Sequence, residues 1–142
     1  MTNVIQLDES YFVAPQLIEA DLAMLKSQGF ERIINNRPDA ESDDQPSGQS
    51  IRAAAELLGM EYVSNPMDLS SLSEEHVDLQ GGALLDDKKT LAFCRTGTRS
   101  SVLWLLLENG KGADSTDLMS FVSGKGFDLT RCTAAMSPLL KA

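Results

Sequence analysis

The stretch "LAFCRTGTRSS", residues 91–101, decides how this chain is read. An apolar, strand-like run ends in Cys94, a polar loop carrying Arg95 and Arg99 follows, and an apolar helix candidate begins at once. In open α/β sheets ligands bind at the carboxyl ends of strands, and Cys94 sits at such an end. Backbone N–H groups of Arg95, Thr96, Gly97, Thr98, Arg99 and Ser100 can curl around an anion, with the positive end of a helix dipole beneath it. Gly97 lets the chain take a conformation closed to residues with a Cβ. The same field favours thiolate over thiol, which predicts that Cys94 is a nucleophile at neutral pH. Arg99 supplies a planar fork for two oxygens of an anion. Ser100 is expected to hydrogen-bond the sulfur and steady it as a leaving group. A lone cysteine in an apolar strand is ordinarily a small core residue. Here none of the six residues after it is apolar, and all suit an anion cradle.

Outward from this loop, strands and helices alternate. "VIQL" (4–7) and "YFVA" (11–14) read as short strands joined by a turn at Asp8–Ser10. "LIEADLAMLKSQG" has apolar residues at helical spacing and closes on Gly29. "RIIN" (32–35) is a β-branched strand, "SIRAAAELLG" (50–59) a helix and "EYVS" (61–64) another strand. Ser73 opens a helix with acids in its first turn, which Gly81–Gly82 should weaken. "TLAF" (90–93) delivers Cys94, "SVLWLLLENG" (101–110) is apolar almost all round and predicts a buried helix with Trp104 in the core, and "DSTDLMSFVSG" (114–124) is a last helix. The tail after Gly126 is weakly patterned. The pattern predicts one α/β domain over 1–142, three layers deep, with a parallel-rich central sheet flanked by helices. One connection, "NNRPDAESDDQPSGQ" (35–49), is far longer than a strand-to-helix link needs, so it is mobile or functional.

Bulk composition narrows the chemistry. Twenty-one acidic against twelve basic residues give a formal charge of −9 over 142 residues, which argues against nucleic acid or an anionic membrane as partner. Any anion site must therefore build its own local positive field. The start lacks the pattern of a secretory signal and no window approaches a membrane span, so cytoplasm is the default expectation. Cys94 and Cys132 are too few and too far apart for a disulfide framework or a metal site, and His76 is the sole histidine. No metal and no cofactor is expected. Oligomeric state is not legible.

"CRTGTRS", with "INNRPDAE", "QPS" and "GMEYVSNP" in the same order, resembles the phosphatase-like domain family found alone in bacteria or fused to beta-lactamase-like hydrolases. The likeness spans about residues 1 to 125. It implies a fold similar to dual-specificity phosphatases, and members are described as candidate phosphatases or as sulfur transferases. It also implies Cys94 as nucleophile, 95–100 as the anion loop with Arg99 as its arginine, and Arg37 to Asp39 close to the site. Two features depart from cysteine-based tyrosine phosphatases, which place five residues between nucleophile and arginine and usually a histidine before the cysteine. Here four residues separate Cys94 from Arg99, as in rhodanese-type sulfurtransferases, and Phe93 replaces the histidine. A ring shorter by one peptide makes a narrower nest, better suited to the outer sulfur of a persulfide than to a phosphoryl group.

Three readings follow. The preferred one is an enzyme that moves sulfane sulfur through a Cys94 persulfide, with a small anionic or persulfide substrate. The second is phosphate-monoester hydrolysis of a phosphorylated substrate through a cysteinyl-phosphate. It needs a proton donor, and Asp68 in "SNPMDLSS" stands where such phosphatases carry theirs. Asp39, Glu41, Asp43 and Asp44 are alternative acids, most of them expected to be a solvated acidic face. The third is a non-catalytic anion-binding module. Arg37 is a candidate second cation at the pocket. Cys132 is expected to be a bystander and His76 a surface residue.

Overall fold

Strand β5 (Thr90–Phe93), the strand that ends at Cys94, lies at the centre of a five-stranded sheet of order β1-β2-β5-β3-β4. The computed structural model describes residues 3–141, so positions 1, 2 and 142 of the expected domain lie outside it. The remaining strands are β1 (Ile5–Gln6), β2 (Tyr11–Ala14), β3 (Arg32–Asn35) and β4 (Glu61–Ser64). β5 pairs in parallel with both β2 and β3, β4 pairs in parallel with β3, and only β1 runs antiparallel at its edge. The centre goes to β5 and β3 because all four residues of each are buried, as a parallel strand covered on both faces requires. β4, with an exposed residue at each end, takes an edge.

The strand period of two splits the core into two layers. Ala14, Ile33, Leu91 and Phe93 pack with α1 (Glu19–Ser27) and α2 (Gly48–Leu57) on one face. Val13, Ile34 and Ala92 face α3 (Glu74–Ala83), α4 (Thr98–Gly110) and α5 (Ser115–Gly124) on the other. α4 begins at Thr98, three residues before the apolar run suggests, and Ser100 through Leu106 are all buried. Trp104 is core as expected, its indole N–H donating to Asp8 Oδ2 at 2.9 Å.

Two stretches with weak local signals are nonetheless well formed. α3 runs straight through Gly81–Gly82 to Ala83. A Cβ on Gly81 would lie 2.8 Å from Leu107 Cδ2, so this glycine lets α3 approach α4 closely. The tail is also ordered and packed. It turns through Thr130–Cys132 and α6 (Thr133–Met136), and buries Leu129, Cys132 and Met136 in the α3–α5 layer. Its turns are too short to leave a periodic pattern in sequence. His76 is half-buried, its Nδ1 accepting the Ser73 N–H at 3.1 Å at the start of α3. Among the described residues no helix is long and apolar enough to cross a membrane.

Candidate active site

β5 stops at Phe93 because the next residues leave the sheet. Cys94 still donates its N–H to Ala14 O at 3.4 Å, and then the chain curls back toward its own sulfur. The Gly97 N–H donates to Cys94 Sγ at 3.1 Å. This curl needs φ +94° at Gly97, and a Cβ there would meet the Phe127 ring at 3.0 Å. Glycine is required on both counts. Gly97 is also the residue preceding α4, so the sulfur faces the first turn of a 13-residue helix. Of the amides after Cys94, that of Gly97 points at the sulfur, and the cysteine itself is fully buried.

Arg99 leans across this loop. Its Nη1 donates to Glu41 Oε2 at 2.6 Å and to Met67 O at 3.0 Å, and its Nη2 donates to Glu41 Oε1 at 2.8 Å. Glu41 raises the Arg99 pKa further above its ordinary value; burial opposes the rise, and the Cys94 sulfur, within reach of the guanidinium, adds to it. Arg37 comes to the same place from the long connection, only 5% exposed. Its Nε donates to Glu41 Oε1 at 2.9 Å, its Nη1 to Gln16 Oε1 at 3.0 Å and its Nη2 to Ser42 Oγ at 3.3 Å. One carboxylate thus bridges two arginines. Hydrogen bonds from Arg99, then from Arg37, pull the Glu41 pKa down to about 2 against the opposing effect of burial. Glu41, one of four alternative acids on a connection expected to be mostly solvated, is instead the bridge between Arg37 and Arg99.

Other candidates fall elsewhere. Arg95 is exposed, its side chain lining a surface cleft with Gln16, Arg37 and Asp44. Thr96 and Thr98 hydrogen-bond to each other through their hydroxyls at 2.9 Å on the rim. Ser100 is fully buried, but its hydroxyl donates to Asn36 Oδ1 at 2.9 Å rather than to the sulfur. It belongs to a buried polar network. Asn36 Nδ2 donates to Gln80 Oε1 at 2.9 Å, Gln80 Nε2 donates to the Tyr11 hydroxyl at 3.0 Å, and that hydroxyl donates to Ser100 O at 2.8 Å. Asn65 joins through Nδ2 to Gln80 Oε1 at 2.8 Å. The network ties β2, the ends of β3 and β4, and α3 to the start of α4. No sequence signal marks Gln80 or Tyr11, because a buried amide and a surface amide look alike in one dimension.

Asp68 stands at the rim, its neighbour Met67 accepting from Arg99 Nη1 through its carbonyl oxygen at 3.0 Å. The Asp68 Oδ1 accepts from both the N–H and the hydroxyl of Ser70 at 2.9 Å, and those bonds lower its pKa, with Arg99 adding to the effect. Asp39 Oδ1 accepts the Gly48 N–H at 2.7 Å and so joins the long connection to α2. It lines a cleft of about 220 Å3 with Asn35, Arg37, Arg52 and Tyr62 beside the site. Cys132 is buried, which pushes its thiol pKa up. Among the described residues no three His, Cys, Asp or Glu side chains gather as a metal site.

A cysteine at the end of a central parallel strand, cupped by the first turn of the next helix and flanked by an arginine, belongs to the class of cysteine-phosphatase folds. Residues 3–111 match the family described as beta-lactamase hydrolase-like protein, phosphatase-like domain, and the chain belongs to that family. The beta-lactamase hydrolase-like protein of Agrobacterium fabrum is 31% identical over 133 residues, 92% of this chain. The chain spans about a third of the length of the curated relatives it matches, 31% in this case. Among solved structures, a candidate phosphatase from Neisseria meningitidis Z2491 superposes with a TM-score of 0.80 at 28% identity, covering 92% of this chain and 96% of that one. The kinase-associated phosphatase, with its catalytic-site cysteine changed to serine, superposes with a TM-score of 0.71 at 15% identity, covering 98% and 91%, and so shares the fold.

Proposed function

We propose that this chain transfers sulfane sulfur through a persulfide on Cys94. The observation that carries the reading is the tight loop itself. With four residues between Cys94 and Arg99, the loop is one peptide shorter than in cysteine-based tyrosine phosphatases, and the Gly97 N–H lies directly on the sulfur at 3.1 Å. The amide, the helix terminus and Arg99 all stabilise negative charge at that point.

In the first half-reaction the Cys94 thiolate attacks the outer sulfur of a donor R–S–SH. A Cys94 S–S bond forms, the donor S–S bond breaks, and the electron pair departs with the thiolate RS⁻. In the second, an acceptor thiolate attacks the outer sulfur of Cys94–S–SH, and the Cys94 thiolate leaves as the product persulfide forms. Electrons balance without a metal or redox cofactor. Small thiols of a reducing cytoplasm suit both steps. Incubation with an organic persulfide or thiosulfate should add one sulfur to Cys94 by intact mass, and Cys94→Ser should lose it. If the thiol takes up no sulfur from either donor, the reading fails.

Phosphate-monoester hydrolysis is the second reading, favoured by the fold shared with the kinase-associated phosphatase. It requires Asp68 to leave Ser70 and take a proton, and a phosphoryl group to enter the narrower loop. Phosphate release from an aryl phosphate, lost in both Cys94→Ser and Asp68→Asn, would support it over sulfur transfer.

A further inference from the structure

One edge of the Arg99 guanidinium already holds an anion, and that anion is the protein's own. Both Nη donors of Arg99 lie on Glu41, at 2.6 and 2.8 Å, in the planar two-oxygen geometry that an incoming oxyanion would seek. Arg37 is held in place as well, its Nε, Nη1 and Nη2 each donating to Glu41, Gln16 or Ser42. The backbone is shaped for this placement. Ala40, just before Glu41, has φ +62°, the only positive φ outside glycine among the described residues. The loop is also braced from within, as the Glu41 N–H donates to Gln45 Oε1 at 3.0 Å and Gln45 Nε2 donates to Pro38 O at 2.9 Å.

We propose that Glu41 sets donor specificity at the Cys94 site, disfavouring donors whose sulfur is carried on an oxyanion and favouring organic persulfides. This rests on the sulfur-transfer reading. With thiosulfate, the Cys94 thiolate takes the outer sulfur, the S–S bond breaks, and both electrons leave on sulfite. That dianion needs several donors at once, and the Nη1–Nη2 edge of Arg99 is held by a carboxylate that also repels it. A neutral persulfide R–S–SH releases only the monoanion RS⁻. For that group the Gly97 N–H and the remaining positive charge of the Arg37–Glu41–Arg99 cluster suffice. An oxyanion donor must either displace Glu41 from the Nη1–Nη2 edge or bind beside its charge, so it binds weakly.

Glu41→Gln keeps the side-chain shape and removes the charge. Two readouts decide. One is the concentration of inorganic sulfate that half-protects Cys94 from alkylation; the other is the ratio of kcat/KM for thiosulfate to that for an alkyl persulfide. Charge-assisted hydrogen bonds of this kind imply a fall of about tenfold or more in the sulfate concentration and a comparable rise in the ratio, mainly through KM. Glu41→Ala should move both the same way, and Asp43→Asn, an equal charge change on the same loop, should not. Unchanged or weakened sulfate protection in both Glu41 variants would mean that Glu41 only steadies Arg99, and would overturn the proposal. An equal gain in Asp43→Asn would reduce it to net charge and overturn it too. No added sulfur from either donor in the unaltered protein would remove sulfur transfer itself, whatever sulfate does.

Discussion

The Glu41 carboxylate ionises between two guanidinium groups, and that ties the order of the long connection to pH. Its pKa is about 2 in the folded chain against an ordinary 4.5. A carboxyl depressed by folding contributes stability that is fully present above the unfolded value and lost as pH falls through the folded one. The window is therefore from about pH 5 down to about pH 2. The side chain is 25% exposed, so solvent screening reduces the contribution to about 1–3 kcal/mol. Urea unfolding at pH 7 and pH 3 should show the unaltered protein losing more stability than Glu41→Gln over that interval; equal losses would mean that the two arginines gain nothing from the bridge. Gly97 supports a second expectation at this scale. Gly97→Ala must hold φ +94° with a Cβ 3.0 Å from Phe127, so it should cost about 1–3 kcal/mol in unfolding free energy. It should also change the alkylation rate of Cys94, because its N–H is the donor that sits on the sulfur.

Elements were legible in sequence wherever one period dominated. All five strands and the helices beginning at 19, 48, 74, 98 and 115 fall where hydrophobic spacing and caps place them, within a few residues at each end. Cys94, Gly97 and Arg99 were legible for the same reason, being adjacent in the chain and bounded by a strand and a helix. Glu41 was legible only as one of several alternative acids; its bridging role was not, because its partners are Arg37, four residues away, and Arg99, which is brought to it only by folding. The buried Arg32 shows the same blindness. It sits in the strand "RIIN" at 2% exposure, and pairs with Glu61 Oε1 at 3.1 Å and Asp86 Oδ2 at 2.7 Å from two distant elements. α3 separates packing from local propensity at two neighbouring glycines. Gly81 is held by close packing, whereas a Cβ on exposed Gly82 would meet nothing within 4 Å. Gly82→Ala should therefore stabilise the protein by about 0.5–1 kcal/mol through helix propensity. Gly81→Ala should gain less, since Leu107 must shift to admit it. A double comparison of thermal midpoints checks this; equal gains would mean α3 and α4 do not touch as closely as 2.8 Å implies.

At the scale of the whole molecule, the tail is part of the site's foundation although the family match ends at residue 111. Phe127 lies against Gly97 of the Cys94 loop, and Leu129, Cys132 and Met136 enter the same core layer as α4. Burying an aliphatic or sulfur-bearing side chain of this kind contributes roughly 1.5–3 kcal/mol, so three of them account for about 5–9 kcal/mol. That is comparable with the whole stability of an ordinary domain, about 5–15 kcal/mol. A chain ending at Gly126 should therefore fail to fold cooperatively, seen as a lost or broadened calorimetric transition. Phe127→Ala separates the site from the core. Phe127 is only partly buried, so the variant should remain folded with a loss of about 1–3 kcal/mol. The curl at Gly97 then loses the ring that backs it, and the Gly97 N–H should dwell less on the sulfur. Hydrogen exchange at Gly97 should speed up and sulfur loading of Cys94 should slow, while amides in β3 keep their protection. If exchange at Gly97 is unchanged, the tail supports the core alone and the loop holds its shape by itself.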